Sequence, residues 1–164
     1  MPGPDLHPAL IPLAFLLGTW RGEGVGGYPT IEDFRYGEEV TFSHVGKPVL
    51  HYTQRTWRLD TEAPAHAESG FWRPQPDGSL EVVMAHPTGV AEIYVGSVTG
   101  TKIELTTDIV VRTTSAKEVT ALTRLFGLVE GKLMYAVDMA AVGQPLQAHL
   151  SATLARVPDP SATP

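Results

Sequence analysis

Cysteine is absent from this 164-residue chain, so disulfides, thiolate metal sites and cysteine nucleophiles are excluded together. The absence also fits a cytoplasmic protein, where thiol pairs do no structural work. Charge is scarce as well: 18% of residues are Asp, Glu, Lys or Arg, against about 25% in ordinary domains. The formal net charge is −6 and no dense Lys/Arg cluster occurs. Nucleic acid and anionic membrane surfaces both require a basic face, so neither is an expected partner. Residues 9–17 are the longest apolar stretch, well short of the roughly 20 residues that span a bilayer. No basic region precedes them, so they read as a short helix or turn packed on the domain rather than a signal peptide. Convincing helical periodicity, internal repeats, a G-x-S-x-G elbow, a P-loop and a Rossmann fingerprint are all missing.

What remains is strand. Phe34, Tyr36, Val40 and Phe42 share one parity while Arg35, Glu39, Thr41 and Ser43 take the other, the period-two pattern of a half-buried strand. Similar stretches recur at residues 49–59, 66–73, 80–85, 90–98, 102–107, 119–129, 133–142 and 146–157, separated by turn-formers such as Pro76-Asp77-Gly78 and Glu130-Gly131-Lys132. About ten short antiparallel strands joined by neighbouring hairpins describe a sandwich or an up-and-down barrel, and the unbroken hairpin succession favours the barrel. The first strand opens with Gly18, Trp20, Gly22 and Gly24 in a G-x-W-x-G-x-G pattern. Glycines in a strand mark bends and close approaches, and the indole is placed to plug one barrel end. With 164 residues the chain makes one domain: an N-terminal extension over 1–12, the barrel over 13–157 and a disordered tail over 158–164.

Six histidines are the main chemical resource. His7, His44 and His51 read as surface or hairpin-end residues. His66, His86 and His149 are distant in sequence, yet a closed barrel can gather strand ends at one mouth. No H-x-H or H-x-x-x-H spacing exists, which gives no support to a zinc site. A single imidazole is still enough to ligate a porphyrin iron. Glu38-Glu39 and the Glu62/Glu68 pair offer carboxylates, but adjacent strand residues face opposite ways, so paired acid–base chemistry is not expected. Met139 shares an apolar parity with Leu133, Tyr135 and Val137 and reads as interior packing.

The opening glycine/tryptophan motif is followed by Tyr28-Pro29-Thr30, Phe34-Arg35-Tyr36-Gly37-Glu38-Glu39, Ser43-His44-Val45-Gly46-Lys47-Pro48 and His66-Ala67-Glu68-Ser69-Gly70. Gly131-Lys132-Leu133 and Gln144-Pro145-Leu146-Gln147-Ala148-His149-Leu150 complete the series. In that order and spacing the chain resembles the nitrobindin family from about residue 13 to residue 157. The resemblance implies a ten-stranded antiparallel barrel like that of fatty-acid-binding proteins, holding heme b at one open end. It also implies His149 as the axial iron ligand, and Thr30, His66, Met139 and His86 as pocket residues. The implied activity is nitric oxide binding and isomerisation of peroxynitrite to nitrate. Strand parity opposes the assignment of His149, grouping it with Gln147, Ser151 and Thr153 on the polar face. A β-bulge near Pro145, or cover from the N-terminal segment or a second subunit, would reconcile the two. Monomer and homodimer both stay open. The competing function is a non-catalytic carrier of a fatty acid or other apolar ligand, for which Arg55, Arg112 or Arg124 would have to receive a carboxylate inside the cavity.

Overall fold

Two-faced strands can hide all their apolar faces only by stacking or by closing on themselves. In the computed structural model, which describes residues 3–159, they close. The strands are β1 (Gly18–Tyr28), β2 (Ile31–Ser43), β3 (Leu50–Arg58), β4 (Pro64–Pro74), β5 (Ser79–Ala85), β6 (Val90–Thr99), β7 (Lys102–Arg112), β8 (Val119–Val129), β9 (Lys132–Ala141) and β10 (Gln147–Arg156). Each pairs antiparallel with its sequence neighbours, and β1 closes on β10. The all-β, ten-stranded up-and-down barrel expected from the sequence is the observed fold.

That topology sorts the connections into two ends. Those around residues 28–31, 58–64, 85–90, 112–119 and 141–147 gather at one end. The other end is plugged. A 3-10 helix over Pro8–Leu16, preceded by a His7 side chain that caps the Ala9 amide, buries Leu10, Leu13 and Leu16 completely. The apolar stretch is therefore a lid on the barrel's base, and it crosses the division drawn at residue 12. Trp20 sits under it, with its Nε1 donating to the Leu16 carbonyl at 2.8 Å and the Arg156 guanidinium 4.1 Å above the ring.

The glycines of the opening motif are close-approach positions. A Cβ on Gly22 would strike the Thr153 carbonyl oxygen of β10, and one on Gly24 would strike the Tyr36 ring. Above the plug, Phe42, Tyr52, Trp72 and Phe126 pack ring against ring with centroids 5.1–5.9 Å apart, in tilted and edge-on geometries that add to their area burial. None of the helices among the described residues is long and apolar enough to cross a membrane. The expected disorder of residues 158–164 falls mostly on residues 160–164, outside those described.

Candidate functional site

The end opposite the plug opens into a cavity of about 1120 Å³, slightly above the roughly 300–1,000 Å³ usual for small-molecule pockets. Tyr52 and Phe126 of the ring cluster reach its depth, and Val90, Val119, Leu122, Val137, Met139 and Leu150 supply apolar wall. His66, His86 and His149 all line it, so the barrel does bring these three strand-end histidines to one mouth.

His149 enters by a defect in the ladder. On β10, Ala148 pairs with Asp138 whereas Leu150 pairs with Val137, leaving His149 with no opposite residue on β9. This is a β-bulge, in which one unpaired residue re-aims a side chain. Both His149 and Leu150 consequently line the cavity, and the simple parity rule fails at this residue. The bulge lies at the histidine itself rather than at Pro145. Its Nδ1 lies 3.0 Å from the Gly27 carbonyl oxygen, and the Tyr28 ring meets it edge-on at 5.5 Å. Burial pushes the imidazole pKa below its ordinary value, with the Gly27 carbonyl pulling the other way. The ring is therefore neutral at physiological pH. A carbonyl only accepts, so the proton resides on Nδ1 and the Nε2 lone pair is free.

Deeper in the barrel lies a polar network among residues with apolar neighbours. Arg124 grips Glu68 through two nitrogens, at 2.6 and 3.1 Å, and donates from Nε to the Tyr94 hydroxyl at 2.8 Å. Tyr52 donates to Glu68 at 2.7 Å and Tyr94 to Glu92 at 2.6 Å. Burial opposes the Glu68 charge, but the Arg124 guanidinium outweighs it and holds the carboxyl at about 2. Glu38, served by the Tyr135 hydroxyl, has no cation beside it and one oxygen without a partner; burial pushes it up to about 7.

This has a measurable sign. Between pH 4.5 and about 7 the folded chain holds a proton on Glu38 that the unfolded chain has released, so stability falls as pH rises through that window. Glu38→Gln is expected to remove this loss and to gain up to about 3 kcal/mol over the wild type at pH 8. Urea denaturation of both proteins at pH 5 and pH 8 checks it.

The remaining sequence candidates separate cleanly. Met139 lines the cavity, and its backbone carbonyl accepts from the Tyr28 hydroxyl at 3.0 Å. Thr30 is exposed in the β1–β2 turn, where its neighbour Ile31 is the residue that borders the cavity. His44 caps the Gly46 amide, and His51 packs edge-on against Phe71. Arg55 pairs with Glu39 outside and Arg112 is exposed, whereas Arg124 is interior. The part that Glu92 and the tyrosines at 36, 52, 94 and 135 play in this network escaped the sequence reading, which placed Tyr36 and Tyr135 by strand parity alone. The available signal was a charged residue on an apolar parity, since Glu92 alternates in phase with Val90 and Tyr94, which are buried with it.

Comparison with known proteins also returns a β-barrel. The family described as a THAP4-like, heme-binding beta-barrel domain matches residues 9–156. The chain belongs to this family. Relatives named peroxynitrite isomerase include one from Mycolicibacterium paratuberculosis, 58% identical over 157 residues that cover 93% of this chain and 97% of the relative. Another, from Parafrankia, is 53% identical over 94% of this chain and 82% of its own length. The crystal structure of Rv2717c from M. tuberculosis superposes with a TM-score of 0.88 at 50% identity, covering 94% of this chain and all of the other.

The residues present fit the heme of this heme-binding β-barrel family. The free Nε2 of His149 is a donor suited to porphyrin iron, the Gly27 carbonyl supplies the outer-shell bond that fixes such a ligand, and Met139, Leu150 and Val137 offer apolar wall.

Proposed function

We propose that this chain is a heme b-dependent peroxynitrite isomerase that also binds nitric oxide, with His149 as the axial ligand, acting in the cytoplasm. The observation that carries the reading is the β10 bulge, which turns a neutral imidazole into the cavity with Nε2 uncommitted. Heme held there by His149 would supply the iron chemistry for isomerising peroxynitrite to nitrate, a conversion with no gain or loss of atoms.

The protein's own residues do the rest. Gly27 and Tyr28 fix the ring plane of His149, so ligation loses little orientational freedom. Met139, Leu150, Val137, Val119 and Val90 give the site an apolar wall. His66 and His86 stand in the cavity wall, and Thr30 lies exposed in the adjoining turn, next to the lining residue Ile31. The carrier reading meets a specific obstacle: the one interior guanidinium among the described arginines is already neutralised by Glu68, and Glu38 and Glu92 are buried with it. A fatty-acid carboxylate placed there would meet uncompensated negative charge.

Stopped-flow decay of peroxynitrite tests the proposal. The hemin-loaded chain is expected to accelerate decay and raise the nitrate yield, hemin-loaded His44→Ala is expected to match it, and the chain without hemin is expected to leave decay at its spontaneous rate. An unaccelerated decay with hemin bound would refute the activity.

A further inference from the structure

We propose that the cavity carries a second metal site, separate from His149, in which His66, Glu68 and His86 bind one divalent first-row transition ion such as Zn²⁺, Fe²⁺ or Co²⁺. His66 and Glu68 are two residues apart on β4, so both side chains project to the inner face. The β4–β5 register, with Ser69 opposite Ala85, brings the residue after β5, His86, alongside them.

Three ligand atoms result, one from each side chain, all within 4.8 Å of one another. His66 Nε2 is 3.1 Å from His86 Nδ1, His86 Nδ1 is 3.4 Å from Glu68 Oε2, and His66 Nε2 is 4.0 Å from the same oxygen. Ligands about 2.0–2.2 Å from an ion, at octahedral to tetrahedral angles, stand roughly 2.8–3.6 Å apart. Two of the three edges already have that length. The third closes by a few tenths of an ångström through His66, the ring with most freedom at 36% exposure.

The outer shell is the stronger argument. A metal-bound histidine characteristically gives its other ring N–H to a carboxylate that is itself held in place. His86 is placed for this arrangement: with Nδ1 turned to the trio, its Nε2 lies 3.1 Å from Glu92 Oε2. Glu92 is in turn fixed by the Tyr94 hydroxyl at 2.6 Å and faces Arg124 at 3.5 Å. The His86 side chain is 8% exposed, and its Nε2 makes no hydrogen bond of good geometry. A buried ring with a close but misaligned carboxylate is one that ligation would turn into line.

Charge points the same way. Glu68 and Glu92 outnumber the single Arg124, so the cluster has room for positive charge. Glu68 Oε2 keeps lone-pair capacity while Arg124 binds the carboxylate side-on. Two imidazoles and one carboxylate on one side of an ion leave its remaining positions open to the cavity, a donor set suited to Zn²⁺ or non-heme Fe²⁺ rather than Mg²⁺ or Ca²⁺.

The absence of a short His-x-His repeat, which spoke against zinc in the sequence, does not exclude this site. The spacing that matters here is His-x-Glu on one strand, completed by a neighbouring strand.

The test uses the full chain, stripped with chelator and free of hemin, titrated with Co²⁺ by visible d–d absorption and with Zn²⁺ by calorimetry. One equivalent is expected to bind with micromolar affinity or better, and Zn²⁺ should displace Co²⁺. His66→Ala and His86→Gln are each expected to weaken binding at least tenfold, while His149→Ala and His44→Ala leave it unchanged. Circular dichroism establishes folding, and if His86→Gln does not fold, the half-exposed His66→Ala decides alone. No saturable binding below millimolar Co²⁺, binding indifferent to His66→Ala, or binding lost with His149→Ala would each overturn the site. Because no hemin is present, these results stand apart from the success or failure of the isomerase assignment.

Discussion

His149→Ala is expected to abolish the ferric Soret signature that a stoichiometric hemin titration gives with the wild type, while His44→Ala leaves it intact. The expected loss exceeds the roughly 10–100-fold that removal of an outer-shell partner costs a metal site, because here the donor itself goes. His149 is half-buried at a bulge, and its hydrogen bond is to the Gly27 carbonyl. Truncation therefore leaves one rim carbonyl to find water and should barely alter the melting temperature. Acid should mimic the mutation. Burial holds the imidazole pKa below the ordinary value, so hemin affinity is expected to stay level from pH 8 down to about 6.5 and to fall only at more acidic pH, as the competing proton occupies Nε2. Absorption titrations across this range measure both effects.

Arg124→Met is expected to cost about 3–5 kcal/mol at pH 7, the usual penalty for removing one partner of a buried charge pair. The methionine fills much of the volume, so the loss reflects the carboxylates left behind rather than a cavity. Glu68 is 6% exposed and Glu92 3%, and neither has another arginine or lysine within ion-pair reach among the described residues. The sign of the pH dependence distinguishes this cause from simple misfolding. In the wild type, Glu68 is held at about 2 by Arg124, so its stabilising contribution is present above its ordinary value of 4.5 and is lost as pH falls toward 2. In the variant the carboxyl is freed from that cation and protonates at much higher pH. The stability difference between the two proteins should therefore shrink steadily as pH is lowered from 7 to 3, as guanidinium denaturation would record. A difference that stays constant with pH would mean that packing, not charge, was lost.

Most of the architecture was legible because each strand obeys alternation on its own. Phe42, Tyr52, Trp72 and Leu154 all fall on the buried parity, and the hairpin turns mark every reversal. Trp20 and its flanking glycines were readable as a plug because few other roles suit an indole between residues without side chains. The site was legible only where a motif carried it. Parity misplaces His149, because a bulge is a property of the pairing between β10 and β9 and leaves no mark on β10 alone. The Glu68–Arg124–Glu92 network was invisible for a related reason: its members lie on β4, β8 and β6, and only barrel closure brings a carboxylate from one wall against a guanidinium from another. A charge on an apolar parity was the one local warning. Thr30 shows the opposite limit, since motif order marked it as a pocket residue while the turn leaves it exposed, one residue from the cavity border.

The central assignment, an imidazole on β10 bound to heme iron, is tested most directly by His149→Gly titrated with hemin in the absence and presence of free imidazole. The wild-type ferric spectrum should disappear in the variant and return when imidazole fills the vacated space beside Gly27. If the variant instead shows the wild-type spectrum without imidazole, the iron is held by another side chain and the assignment is wrong.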